Sequence, residues 1–149
     1  MSPTREAMSV AEVASLVALM MSLVAISIDA MLPALPEIGR NFYVRDENDT
    51  QLVIGLFLLG NTFGQLLFGP LSDAFGRKPV VVIALIMFLI GCVLSVAADS
   101  FSTLLVGRIL QGVGASGPRT VCVSMVRDLY SGRSMARIMS IAMTIFIIV

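Results

Sequence analysis

Histidine and tryptophan are absent from the 149 residues, and charge is scarce, with ionisable Asp, Glu, Lys and Arg making up 13%. The missing histidine removes imidazole acid–base chemistry and every His-based metal site. The shortage of charge excludes an ordinary soluble domain, in which about a quarter of the residues are charged. A body this small has too much surface to cover with so few ions. Ten basic and ten acidic residues also cancel, so no bulk field recruits nucleic acid or an acidic partner. Only two cysteines occur, Cys92 and Cys122, both within apolar stretches. Small buried hydrophobes are their expected role, rather than a disulfide or redox pair. What is present instead is apolar: 57% hydrophobic residues and a mean hydropathy of +0.95. The chain reads as an all-α integral membrane protein in a lipid bilayer.

The placement of the charges divides it. Val13–Leu32 holds a single ionisable residue, Asp29, whereas Gln51–Pro70 and Pro79–Ala97 hold none. Thr103–Met125 holds Arg108 and Arg119, and Ile138–Val149 is apolar to the end of the chain. Each of the first four approaches the roughly twenty residues that cross a hydrocarbon core. The last spans only about 18 Å as helix, too little to cross. The expected organisation is a cytoplasmic tail over 1–12, then helices near 13–36, 51–70, 79–97 and 103–125, and the start of a fifth at 138–149. A signal peptide is the rival for the first segment. Its apolar run is longer than such peptides carry, and it ends at Pro33 and Pro36 rather than at a small-residue cleavage site. Asp49 or Thr50 is the expected cap of the second helix, Pro79 suits the first turn of the third, and Ser102 or Thr103 suits the start of the fourth. The connection Ala98–Ser102 is so short that the third and fourth helices must be antiparallel neighbours. With the N-terminus inside, Arg5, Arg77, Lys78, Arg127, Arg133 and Arg137 face the cytoplasm, and only Arg40 and Arg45 face out. That satisfies the positive-inside rule, and the expected location is a bacterial inner membrane.

Charges inside membrane helices mark a functional site or a buried ion pair. Asp29 and Arg108 both fall roughly 8–10 Å below the outer surface by helical rise. Their opposite signs and matched depths make them expected partners across a cavity. One reading is a static pair that pins two helices. The other is proton exchange by Asp29: desolvation and a nearby cation act in opposite directions on a carboxylate, and Arg108 supplies only the field. On the fourth helix, Arg108, Gly112, Ala115 and Arg119 share one stripe, suited to a close neighbouring backbone or to a water-filled cavity. Gly60 and Gly64 on the second helix form a small-xxx-small pair for close packing. Asn61 and Gln65 on the adjacent face fit interhelical bonding and cavity lining equally.

Between the second and third helices the chain reads Gly69-Pro70-Leu71-Ser72-Asp73-Ala74-Phe75-Gly76-Arg77-Lys78-Pro79. By itself this is a tight cytoplasmic turn with positive-inside residues. The spacing Gly-x3-Asp-x2-Gly-Arg-Lys also resembles the loop signature of the major facilitator superfamily. Gly107-Arg108-Ile109-Leu110-Gln111-Gly112 resembles the Arg-x2-Gln-Gly signature of its fourth helix. Asp29-Ala30-Met31-Leu32-Pro33-Ala34-Leu35-Pro36 is similar to the first-helix pattern of drug–proton antiporters. Val126-Arg127-Asp128-Leu129-Tyr130 is similar to the bicyclomycin and chloramphenicol resistance (Bcr/CflA) branch.

The resemblance implies a proton-coupled exporter of small drug-like substrates that needs no cofactor beyond the proton gradient. It implies that Gly69 permits close helix contact and that Asp73 accepts from a helix N-terminus or a basic partner. Gly76, Arg77, Lys78 and Arg127 belong to the same inner-gate latch, and Ala74 stands where a basic residue is usual. Arg108 falls near the proton-coupling site with Asp29, and Gln111 belongs to the helix-four motif and cavity. The family's two six-helix halves further imply that residues 13–149 are an incomplete N-terminal half-domain whose C-terminal half is missing. The alternatives are a solute importer of the same fold and a small non-transporting membrane partner. An enzyme has the least support: the sequence offers no nucleophile–base pair, metal-ligand cluster or phosphate loop.

Overall fold

Long apolar runs broken by short polar turns leave the backbone only one way to satisfy its hydrogen bonds in lipid, which is helix. The computed structural model describes residues 10–44 and 46–148, so Arg5 and Arg45 lie outside the described residues. The helices are α1 (Val10–Asp29), α2 (Leu35–Asn41), α3 (Glu47–Thr50), α4 (Leu52–Phe75), α5 (Arg77–Val96), α6 (Phe101–Leu129) and α7 (Gly132–Ile148). Among the described residues there is no strand.

Several expected boundaries move. The first helix does not run unbroken to Pro36. It ends at Asp29, passes through a tight turn of 3-10 helix over Leu32–Ala34 and resumes as α2. Pro33 and Pro36 explain this: each lacks an N–H and disfavours helical backbone in the residue before it, yet suits the first turn of a new helix. Neither Asp49 nor Thr50 caps the second long helix; Asp46 caps the short α3 instead, accepting from the Asn48 amide at 3.1 Å. Ser100, not Ser102 or Thr103, caps α6 by accepting from the Thr103 amide at 3.2 Å. The expected loop from Gly69 to Pro79 is almost entirely helical. α4 continues past Pro70 to Phe75, and α5 begins at Arg77. The whole turn is Gly76, at φ 91° and ψ 159°, a conformation open essentially to glycine alone. α7 begins at Gly132 rather than near residue 138, because Arg133 and Arg137 stay exposed while Ile138 and Ala142 are buried.

Three stretches, Glu12–Asn41, Asn48–Phe75 and Arg77–Val96, are long and apolar enough to cross a membrane. The longest helix, α6, is more polar, carrying Arg108, Gln111 and Arg119 among its glycines. It is also the most enclosed. It packs along α4 and α5 and touches α1, while α1 also packs on α7. The contact with α5 is the antiparallel neighbour pairing that the short connection required.

Close backbone approach makes this enclosure possible. A Cβ built on Gly112 would collide with the Phe57 carbonyl, and one on Gly64 with the Ser116 hydroxyl and the Val113 carbonyl, which lies 2.6 Å away. On the other side of α6, Gly91 of α5 abuts the Gln111 backbone. The pairing expected of Gly60 and Gly64 is therefore present. Gly112 and Ala115 belong to it too: Ala115 is buried against Val24 and Phe57, so these two positions of the stripe are packed against neighbouring helices. Gly69 behaves otherwise. A Cβ there meets nothing within 4 Å, so it makes no close helix contact here.

These two glycines predict opposite outcomes. Gly112→Ala should push α4 from α6 and cost about 1–3 kcal/mol, lowering the thermal midpoint of the detergent-solubilised chain. Gly69→Ala should hold or slightly raise that midpoint, since alanine favours helix by up to about 1 kcal/mol.

Candidate functional site

Arg108 lies about two turns into α6, and only 7% of it is exposed. Its Nη1 donates to Gln111 Oε1 at 2.9 Å, one turn along the same helix. Its Nη2 meets Met31 Sδ at 2.7 Å, in the turn that follows α1. Gln111 then donates through Nε2 to Cys92 Sγ of α5 at 3.2 Å. A chain of polar contacts therefore crosses the bundle from the end of α1 through α6 to α5. Cys92 and Cys122 are both free thiols; Cys122 is buried as expected, whereas Cys92 is only half-buried.

Two donors in this region are buried without a partner: Arg108 Nε and Asn61 Nδ2. Arg108 faces a narrow, partly open cleft whose other walls are Ser27, Ile28 and Met31 on one side and Val53, Ile54 and Phe57 of α4 on the other. Asn61 follows Phe57 by one turn on the same face and is 4% exposed. Its Oδ1 accepts from Gln65 Nε2 at 2.6 Å, so that bond stays within α4 and joins no second helix. Gln65 itself is exposed.

The expected Asp29–Arg108 pair is not formed. Asp29 is exposed, and among the described residues the ion pairs are those of Arg77. Matched depth was not enough. Ile28 and Met31 occupy the cleft side, and Asp29 lies about 100° round the helix from Ile28. Arg108 thus reaches the segment that carries Asp29 without reaching its carboxylate. Arg119 is half-buried and has no ion pair among the described residues.

At the other end of the bundle, one guanidinium ties three helices. Arg77 Nη2 lies 3.1 Å from Asp73 Oδ1 at the end of α4 and 2.5 Å from Asp128 Oδ2 at the end of α6. Its Nη1 donates to Ser72 Oγ at 3.2 Å. Asp73 and Arg77 therefore meet as the resemblance implied, whereas Lys78 and Arg127 are exposed and outside the described ion pairs. Asp128 is the residue that sequence reasoning missed. It was quoted within the Val126–Tyr130 motif and given no role there, although it lies one residue beyond Arg127 and reaches Arg77.

Because the side chains of Asp73 and Asp128 are 70% and 55% exposed, the tie is weak. A double-mutant cycle with Arg77→Met and Asp128→Leu should give a coupling of about 0.2–1 kcal/mol in low salt. Thermal unfolding in about 1 M salt should bring it close to zero.

Residues 17–149 match the model of the Major Facilitator Superfamily. The chain is 33% identical over 120 residues to an uncharacterized MFS-type transporter, YdgK, of Bacillus subtilis, covering 80% of this chain and 30% of that protein. It is 32% identical over 99 residues to multidrug resistance protein D of Escherichia coli, covering 66% of this chain and 25% of the relative. A bicyclomycin resistance protein homolog of Haemophilus influenzae is 29% identical over 121 residues, or 81% of this chain and 30% of the relative. The chain thus spans under a third of the length of these relatives. With a glycine-packed helical bundle, a buried arginine on α6 and a family match over nearly its whole length, the chain belongs to the major facilitator superfamily of membrane transporters.

Proposed function

We propose that the chain is the N-terminal part of a proton-coupled exporter of small, drug-like hydrophobic compounds, of the Bcr/CflA branch. The observation that carries this reading is Arg108: buried at membrane depth, without a carboxylate partner, and in contact with Met31, two residues beyond Asp29. Coupling requires a permanent cation close to a carboxylate that can exchange a proton. In this reading Asp29 is the proton-exchanging carboxylate, two residues before the Met31 that Arg108 contacts. Gln111 orients Arg108 throughout. The names of two relatives, multidrug resistance protein D and a bicyclomycin resistance protein homolog, support drugs as the cargo.

The inner ends of α4, α5 and α6 form the latch of the inner gate, with Asp73, Gly76, Arg77 and Asp128 at its centre and Lys78 and Arg127 beside it. Alternating access needs a second half-domain to rock against, so the 149 residues by themselves do not transport. The protein sits in the bacterial inner membrane with its N-terminus in the cytoplasm.

The coupling test uses a complete transporter in which this segment supplies the first helices. In everted vesicles, well-folded Asp29→Asn should still bind substrate but lose efflux driven by a pH gradient. Uphill pumping by that variant would end the coupling role of Asp29. For orientation, a cysteine placed at exposed Asn48 should react with an impermeant maleimide added outside, and one at exposed Ala74 should not. The opposite pattern would invert the topology.

A further inference from the structure

Arg108 holds the turn after α1 through a chemically weak acceptor. Its Nη2 meets Met31 Sδ at 2.7 Å, and a thioether sulfur accepts hydrogen bonds poorly. Nε has no partner, so among the described residues Gln111 Oε1 is the single full-strength acceptor of this buried cation. A buried charge short of acceptors is costly, and the site gains whenever a better acceptor replaces the sulfur. Met31 is placed to be altered in that way. It stands in the turn between α1 and the 3-10 helix of Leu32–Ala34, only half-buried, and lines the partly open cleft. Oxidation of a methionine adds one oxygen to the sulfur and turns an apolar side chain into a polar one. That oxygen is a strong acceptor with negative character, and the flexible Met31 side chain can turn it onto Nη2. Sulfoxides ordinarily disrupt the packing around them. Beside Arg108 the sulfoxide instead supplies what the guanidinium lacks. Met125 and Met143 are 40% and 39% exposed and, among the described residues, accept from no cation. They serve as internal references.

We infer that Met31 is an oxidation site whose sulfoxide oxygen is held by the Arg108 guanidinium, fastening the end of α1 to α6. The oxidant is a peroxide. With hydrogen peroxide, the sulfur lone pair that Arg108 does not engage attacks one oxygen, and the S–O bond forms as the O–O bond breaks. The departing hydroxide takes the proton of the transferred oxygen and leaves as water, so the sulfur is oxidised and the peroxide reduced. This site goes beyond the exporter reading and needs neither a substrate nor a proton gradient.

The test uses the full 149-residue chain in maltoside micelles, treated with dilute hydrogen peroxide. Peptide mass mapping should find one added oxygen on Met31 as well as on exposed Met125 and Met143. Thermal midpoints then read what that oxygen does. Peroxide should shift the midpoint of the unmodified chain upward, relative to its shift in Met31→Leu, by a few degrees. Both chains carry the same oxidation at their other methionines, so the difference belongs to Met31. Without peroxide, Met31→Gln should melt above Met31→Leu, because its amide oxygen stands in for the sulfoxide oxygen. Arg108→Gln should erase both gains. The comparisons made with Arg108 in place decide the matter even where that variant fails to fold. Met31 left unoxidised while Met125 and Met143 react would overturn the proposal. So would an oxidised Met31 that lowers the midpoint, or leaves it unmoved, against the Met31→Leu control. A Met31→Gln chain no more stable than Met31→Leu would overturn it too.

Discussion

Everything in this bundle depends on how closely α4 and α5 can approach α6. Lipid supplies no hydrophobic force between helices, since a leucine on a helix gains nothing by exchanging a lipid chain for another leucine. What remains is dispersion and local polar contact, and both decay steeply with separation. Gly64 and Gly112 on one side and Gly91 on the other remove the side chains that would hold the backbones apart. The enclosure of α6 follows, and with it the only environment in which that helix is stable. A helix bearing Arg108, Gln111 and Arg119 faces lipid at a prohibitive cost. Surrounded by α1, α4 and α5, the same residues face protein instead.

This order of causes explains which features were legible in the sequence. Runs free of ionisable residues announced α5 to within two residues and the start of α4 to within one, because lipid exposure penalises charge directly. α4 itself runs five residues past its expected end at Pro70. The glycine pair on α4 was legible because small residues four apart in an apolar helix have few other uses. Azimuth was not legible. Asp29 and Arg108 were matched by depth alone, and depth says nothing about rotation around a helix that ends just there, at Asp29. The close contact expected of Gly69 rested on the family resemblance, which does not fix azimuth either. Gly64 and Gly69 are both on α4, but Gly64 faces α6 and Gly69 has open space before it.

The turn at Gly76 was misread for a different reason. Gly, Pro, Ser and Asp between two apolar runs ordinarily mark a loop. Pro70 gives up the bond its missing N–H would make, but α4 continues through it. The Ser72 hydroxyl donates to the Gly69 carbonyl at 2.8 Å in that same turn. Helix also persists because both ends of the junction can be closed by one residue, Gly76, whose backbone conformation side chains forbid. A loop of eleven residues and a turn of one have the same composition; only the ability of Gly76 to reverse the chain alone separates them.

The inner ends of the helices show what the short turn does electrostatically. Asp73 and Asp128 sit at helix C-termini, where the macrodipole is negative, and Arg77 sits at a helix N-terminus, where it is positive. Each of the three charges is at the wrong end of its own helix, an arrangement unfavourable by about 0.3–1 kcal/mol apiece at an exposed site. The single-residue turn brings these penalties together, and the Arg77 guanidinium relieves them jointly by bridging both carboxylates. The result is nearly balanced: favourable enough to hold the ends of α4, α5 and α6 in register, and too weak to lock them. A stronger, buried latch would oppose opening by several kcal/mol on removal of either partner. An exposed tie that offsets dipole repulsion opposes it by about a kcal/mol or less. That is the scale a proposed inner gate requires, because its open and closed states must lie close enough in energy for a substrate or a proton to choose between them.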